Sequence, residues 1–408
     1  MHTFVAKPYE LFNKIQNYDW GTKNENAFIP NFIGIKAVPD LPYAELWIGA
    51  HPKASSEIEI EGEKIPLNKI IEQYQIECLG KEVAEKYNGQ FPFLLKVLSA
   101  ANALSIQTHP NKIQAEKLHA KDPKNYPDDN HKPEIAIAVD SLLAVAGFKP
   151  VEEIITNLRE TPELESFIGK ELLEEVIFFN SDKKNAVKNL YAQIMKKSDD
   201  KENLSQCIAK ICGRLNSKSE LTVAESQFLK QHELYGNDVG LLSFFFFNII
   251  ELKPGQAIFT DAGVPHAYIK GNIIECMANS DNVVRAGLTN KFKDVDTLLE
   301  ILRYEFAKFN IINKEQKNDE VIYKTSTKEF EVSSYSKKKG FVKSCKSNSS
   351  PQVFLITDGE IQVDWQHDHF EQSQKFKKGE SFFIPASLSD YRITTIVESK
   401  YFITKIPE

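Results

Sequence analysis

Lys253-Pro254-Gly255-Gln256-Ala257-Ile258-Phe259, followed by Gly263-Val264-Pro265-His266-Ala267-Tyr268, marks this chain as strand-built. Strand texture passes through the Pro-Gly pair and on through His266 to Asn272 and Ile273. His266 is one of four scattered side chains of a type that binds metals. Gln107 and His109 stand in Ser105-Ile106-Gln107-Thr108-His109-Pro110, and Glu134 stands in His131-Lys132-Pro133-Glu134. Residues two apart on a strand point to the same face, so Gln107 and His109 can reach one point in space. Two imidazoles, one carboxylate and one amide carbonyl form an N2O2 donor set, which suits zinc or another first-row divalent ion better than calcium or an iron–sulfur cluster.

The flanking sequence predicts strands with a helical interruption. Phe93 to Leu98 and Leu104 to Thr108 read as strands about an Ala101-Asn102 turn, with a short helix after His109-Pro110. Pro133 to Val139 alternates Glu134, Ala136 and Ala138 with Ile135, Ile137 and Val139, as a two-faced strand requires. From Val151 to Gly236 the period becomes helical: Val151, Ile154, Ile155 and Leu158 form one stripe, and Val187, Leu190, Tyr191 and Ile194 another. The apolar run Val239 to Ile250 reads as a buried strand, and Asp294 to Tyr304 as a last helix. The expected organisation is mainly β. Residues 1–150 and 237–310 form a catalytic barrel, 151–236 a helical insertion, and 311–408 a second, barrel-like unit. Within the last unit, Lys377-Lys378-Gly379-Glu380-Ser381-Phe382-Phe383 echoes Lys253 to Phe259, and equal counting from Gly255 and Gly379 places Asp390 where the first copy has His266.

Composition narrows the function. The chain has 408 residues, 42% of them hydrophobic, enough for two or three domains. Its longest apolar run is far short of the roughly 20 residues of a membrane helix, and the start carries no uninterrupted apolar signal segment. Five cysteines without a CxxC pair argue for reduced thiols and against a cysteine zinc site, so a cytoplasmic, soluble protein is expected. A net charge of -7 argues against nucleic-acid or anionic-membrane partners. The oligomeric state is not legible.

Pro254-Gly255 with Pro265-His266-Ala267-Tyr268 resembles the second metal-binding motif of the cupin superfamily, a small jelly-roll barrel. The fuller pattern is similar to the type I mannose-6-phosphate isomerase family. It comprises Tyr18 to Gly21, Ala44 to Pro52, Phe93 to Leu98, Leu104 to Pro110, His131 to Glu134 and Glu275 to Thr289, in order. The resemblance implies an enzyme interconverting mannose 6-phosphate and fructose 6-phosphate, with one zinc ion per chain. It carries ligand roles onto Gln107, His109, Glu134 and His266, and an active-site role onto Arg285. Asn290 departs from the proline common in relatives and should alter a turn.

The chemistry can be reasoned from the residues. Moving a proton between neighbouring carbons C2 and C1 requires the enediolate to be stabilised, which a divalent cation can do. Lys132, Glu275 and His51 are candidate bases. Arg285, Lys96, Lys132 and Lys291 are cations for phosphate or enediolate, and Ser105, Tyr268 and Trp20 can line the sugar. Alternatives stay open at this level. Arg285 can bridge to Asp281 or Glu275, His51 can cap a turn, and His367-Asp368-His369 is either a ligand pair or an exposed hairpin tip. Two rival functions share the donor set: a non-haem iron oxygenase and a non-catalytic sugar-binding cupin.

Overall fold

The computed structural model of the chain describes residues 3–179, 181–312, 314–317 and 320–407. Ten strands make up the first sheet: β1 (Lys14–Gln16), β2 (Glu45–Gly49), β3 (Phe93–Ala100), β4 (Ile106–Thr108), β5 (Glu134–Ala138), β6 (Leu142–Phe148), β7 (Phe247–Leu252), β8 (Ala257–Thr260), β9 (His266–Ala278) and β10 (Val284–Gly287). All pairings between them are antiparallel, in the jelly-roll manner expected.

Strand β9 organises the barrel. Its first residues pair with β6 and β4, and its second half pairs with β3 and β5. The change of partner falls at a register shift between Tyr268 and Lys270, next to Gly271 with φ 135°. A Cβ at Gly271 would lie 2.4 Å from the Ser141 carbonyl oxygen, so only glycine fits the corner. The shift also changes side-chain parity. Even-numbered His266 and Tyr268 face the barrel interior before it, and odd-numbered Glu275 faces the same interior after it.

The helical segment follows the predicted stripes. Helices Val151–Arg159, Lys183–Lys196, Lys201–Asn216 and Val223–Tyr235 bury Val151, Ile154, Ile155, Leu158, Val187, Leu190, Tyr191 and Ile194 in one core with Phe148 and Phe244 to Phe247. Asp182, Asp200 and Thr222 cap three of them, accepting from the amides of Asn185, Asn203 and Glu225.

Two expectations need correction. Val239–Phe245 is a 3-10 helix rather than a strand, and the strand starts only at Phe247. Asp238 caps it at the Gly240 amide, while Lys149 and Asn157 side chains satisfy the Phe244 and Phe245 carbonyls (2.8 and 2.7 Å) in place of a ladder partner. A continuous apolar run has no period to separate the two conformations. The last helix is Val295–Ile301, shorter than Asp294 to Tyr304, because Leu302 is extended and the Arg303 amide turns away to the Gly263 carbonyl at 2.8 Å.

The carboxy-terminal part is a pair of antiparallel sheets. One contains Glu331–Lys337, Gln352–Asp358, Ser381–Ile384 and Ser399–Lys405 and is completed by Tyr9–Glu10; the other contains Val342–Lys346, Glu360–His367, Phe370–Lys377 and Asp390–Thr395. Between them Phe354, Phe376 and Phe382 stack, with ring centroids 4.4 and 4.1 Å apart. Among the described residues no helix is long and apolar enough to cross a membrane.

Candidate active site

Three strands deliver the metal-type side chains. Gln107 on β4 lies opposite His266 on β9 and opposite Arg285 on β10, so all three project from one face of the sheet. Thr260 on β8 and Met277 on β9 flank Glu134 at the start of β5. His109, just past β4, meets them in the interior: single ligand atoms of His109, Glu134 and His266 all lie within 4.8 Å of one another, and all three residues are buried. Gln107 stands beside this group and accepts from Ser105 Oγ at 3.4 Å.

The hydrogen bonds around the histidines define what fits between them. His109 Nδ1 faces the Asn282 carbonyl at 2.6 Å, and His266 Nδ1 faces the Val264 carbonyl at 2.9 Å. Each ring therefore carries its proton on Nδ1 and presents an Nε2 lone pair inward. Those lone pairs confront the carboxylate of Glu134, at 3.6 Å from Oε1 for His109 and 3.1 Å from Oε2 for His266. Among the described residues, His109 Nε2 has no hydrogen-bond partner although it is buried. Acceptors aimed at acceptors among buried side chains fit a cation between them. Burial pushes His109 down to about 4, and Lys132 adds to the effect.

Charge around this group is dense and buried. Lys132 Nζ lies 2.8 Å from Glu134 Oε1, and Lys96 Nζ lies 3.0 Å from Glu275 and 3.4 Å from Glu45. Three carboxylates (Glu45, Glu134, Glu275) stand against two lysines (Lys96, Lys132), a formal surplus of one negative charge that a divalent cation reverses. Burial works against the charge on Lys96, and Glu275 and Glu45 overcome it, holding the ammonium above its ordinary range. Burial raises Glu275, with Glu134 and Glu45 adding to the rise and Lys96 opposing it. Tyr268 is buried with its hydroxyl toward Glu275.

A second group lines the approach. Asp281 pairs with Lys53 at 2.8 Å, and Glu275 pairs with Lys96, so among the described residues neither bridges to half-buried Arg285. Burial lowers Arg285, and burial with the neighbouring Arg285 charge lowers Lys291. Lys291 Nζ sits over the Tyr18 ring at 5.6 Å, and Tyr18 stacks on Trp20 at 5.8 Å. His51 accepts from the Lys53 amide through Nδ1 at 3.2 Å, the turn-capping arrangement, and burial lowers it to about 4.

Glu45, Asp128 and Asn282 also shape the site, without a motif that marks them in the sequence. Glu45 accepts from Trp47 Nε1 at 2.5 Å, and its signal was a carboxylate two residues from Trp47 in an otherwise apolar strand. Asn282 acts on His109 through its backbone carbonyl and is held by Asp128 and Asn130, a role no side-chain pattern reveals. His367-Asp368-His369 is the hairpin tip: Asp368 and His369 have φ of 49° and 67°, as a two-residue turn requires, and both are exposed.

Comparison with known proteins decides the family. A curated mannose-6-phosphate isomerase of Emericella nidulans is 36% identical over 91% of this chain and 90% of its own length. The chain belongs to the type I phosphomannose isomerase family. The family model "Phosphomannose isomerase type I, catalytic domain" matches residues 9–151. The Rattus norvegicus mannose-6-phosphate isomerase is 42% identical over 74% of both chains. Among solved structures, a variant of the Salmonella typhimurium phosphomannose isomerase superposes with a TM-score of 0.87 at 31% identity, covering 99% of this chain and 100% of its own. A zinc-bound mannose 6-phosphate isomerase superposes at 0.86, also at 31% identity, covering 98% of this chain and 100% of its own. Membership in this family leaves the oxygenase and the non-catalytic binding readings without support.

Proposed function

We propose that the chain is a zinc-dependent aldose–ketose isomerase that interconverts D-mannose 6-phosphate and D-fructose 6-phosphate. The observation that carries this reading is the pair of inward Nε2 lone pairs facing Glu134, with Arg285 in register with Gln107 on the neighbouring strand. Gln107, His109, Glu134 and His266 would hold the ion. When bound, the zinc supplies positive charge that favours a developing oxyanion.

The remaining work falls to the chain's own groups. Arg285, on the face shared by Gln107 and His266, offers planar paired donors to the enediolate oxygens, and Lys291 beside it takes the 6-phosphate. Glu275 Oε2 accepts the proton from C2 and returns it to C1, held in place by Lys96 Nζ at 3.0 Å. Lys132 fixes Glu134 and contributes charge to the same enclosed volume. Ser105, Tyr268 and Trp20 contact the sugar hydroxyls and wall the pocket. This burial excludes water, which strengthens every charge interaction inside.

The division of labour places catalysis in residues 1–150 and 237–310, with 151–236 as a helical insertion and 311–408 as a second barrel. Five free cysteines support work in a reducing, cytoplasmic setting. The direct test incubates zinc-loaded protein with mannose 6-phosphate and detects fructose 6-phosphate, with exchange of the C2 proton. Binding without conversion or exchange would defeat the reading.

A further inference from the structure

The loop that carries Lys132 and Glu134 is held from outside the catalytic barrel. His131 Nε2 lies 2.9 Å from Glu329 Oε1, and Glu329 stands just before the strand Glu331–Lys337 of the carboxy-terminal sheet. The carboxylate is itself fixed: Thr327 Oγ1 donates to Oε2, and the Lys328 amide donates to the same oxygen at 3.1 Å. The turn is pinned on both sides, because Tyr87 Oη donates to the Lys328 carbonyl at 2.5 Å and Phe330 is buried in the core shared by the two sheets. At the other end of the loop, Asn130 donates to the Asn279 carbonyl at 3.1 Å. Burial opposes the Glu329 charge, and His131, Thr327 and the Lys328 amide outweigh it, holding the carboxyl at about 2.

We propose that Glu329 is a positioning residue for the reaction, acting through His131 to fix the backbone from which Lys132 and Glu134 enter the site. The inference rests on the isomerase reading above and gives the second barrel a part in catalysis that no ligand assignment provides. His131 immediately precedes Lys132 and stands three positions before Glu134, so a freed imidazole lets the strand entry swing while the buried ladder of β5 stays paired. The effect is confined to the loop rather than to the fold.

The test compares Glu329→Ala, Glu329→Gln, His131→Ala and the Glu329→Ala/His131→Ala pair. Zinc affinity by competition with a chromophoric chelator, kcat, KM and melting temperature are read for each. Outer partners that orient a ligand-bearing loop are worth roughly tenfold to a hundredfold in metal affinity, and Glu329→Ala is expected in that range with kcat falling and KM nearly unchanged. Glu329→Gln keeps an acceptor for His131 and should recover most of the loss. The pair should match His131→Ala alone, since Glu329 acts through that ring. Thr327→Ala, which releases the carboxylate without removing it, should give the same pattern at smaller size and serves if Glu329→Ala does not fold. Wild-type zinc affinity and kcat in Glu329→Ala or Thr327→Ala, or additive losses in the pair, would overturn the inference. A wild-type protein that does not convert mannose 6-phosphate, with zinc affinity that still responds to Glu329, would defeat the isomerase reading and leave the tether standing.

Discussion

At Lys253 to Gln256, Gly255 has φ 74° and the Lys253 amide donates to the Gln256 side chain at 2.8 Å; at Lys377 to Glu380, Gly379 has φ 86° and the Lys377 amide donates to the Glu380 side chain at 2.9 Å. Each turn feeds a four-residue strand, Ala257–Thr260 or Ser381–Ile384, and a further strand then begins at His266 in one case and at Asp390 in the other. The scaffolds match, and the linings do not. His266 is buried against Glu134, whereas Asp390 is exposed and the second interior is filled by stacked Phe354, Phe376 and Phe382. Two barrels with the same turn device are thus lined differently, one burying a cluster of His109, Glu134 and His266 and the other burying aromatic surface. Chemistry resides in the lining and not in the architecture.

This contrast can be broken by substitution, beginning with the largest effect. Removing His109 or His266 by alanine should strip zinc and lower kcat by more than about a hundredfold, the scale lost with a single oxyanion donor; metal analysis and steady-state kinetics on the same samples check it. Arg285→Ala should lower kcat by roughly a hundredfold with zinc content and melting temperature intact, because its donors act on charge that appears in the transition state. Lysine there keeps the charge and loses the planar pair, so Arg285→Lys should rescue poorly. A rise in KM without a fall in kcat would reassign Arg285 to phosphate anchoring.

The second barrel should answer in stability. Phe382→Ala removes a fully buried ring from the stack and should cost about 3–5 kcal/mol in denaturant unfolding, with kcat per folded molecule unchanged. A kinetic defect in the folded fraction would show that aromatic packing there reaches the active site. The smallest effect belongs to the hairpin tip: His367→Ala with His369→Ala should leave zinc content, stability and turnover near wild type, since both side chains are exposed.

The cluster of His109, Glu134 and His266 was legible in the sequence because metal chemistry tolerates few residue types. Helical stripes from Val151 to Ile194 were legible for another reason, a repeating period. What was hidden depends on backbone events without a side-chain signature. The register shift before Gly271 puts Glu275 and His266 on the same face, although their parity alone assigns them to opposite ones. The 3-10 run Val239–Phe245 is fixed by Asp238, Lys149 and Asn157, of which only Asp238 is adjacent in sequence. Glu45 and Glu329 enter through distant pairings, with Lys96 and His131, that no local pattern encodes.

The most direct test of the division between the two barrels is zinc stoichiometry measured beside fructose 6-phosphate formation in His266→Ala and in the His367→Ala/His369→Ala pair. One zinc per chain with normal turnover is expected in the hairpin pair, and neither zinc nor turnover in His266→Ala. Stoichiometric zinc retained in His266→Ala, or zinc and turnover lost on changing the hairpin histidines, would contradict the assignment of the metal to the first barrel.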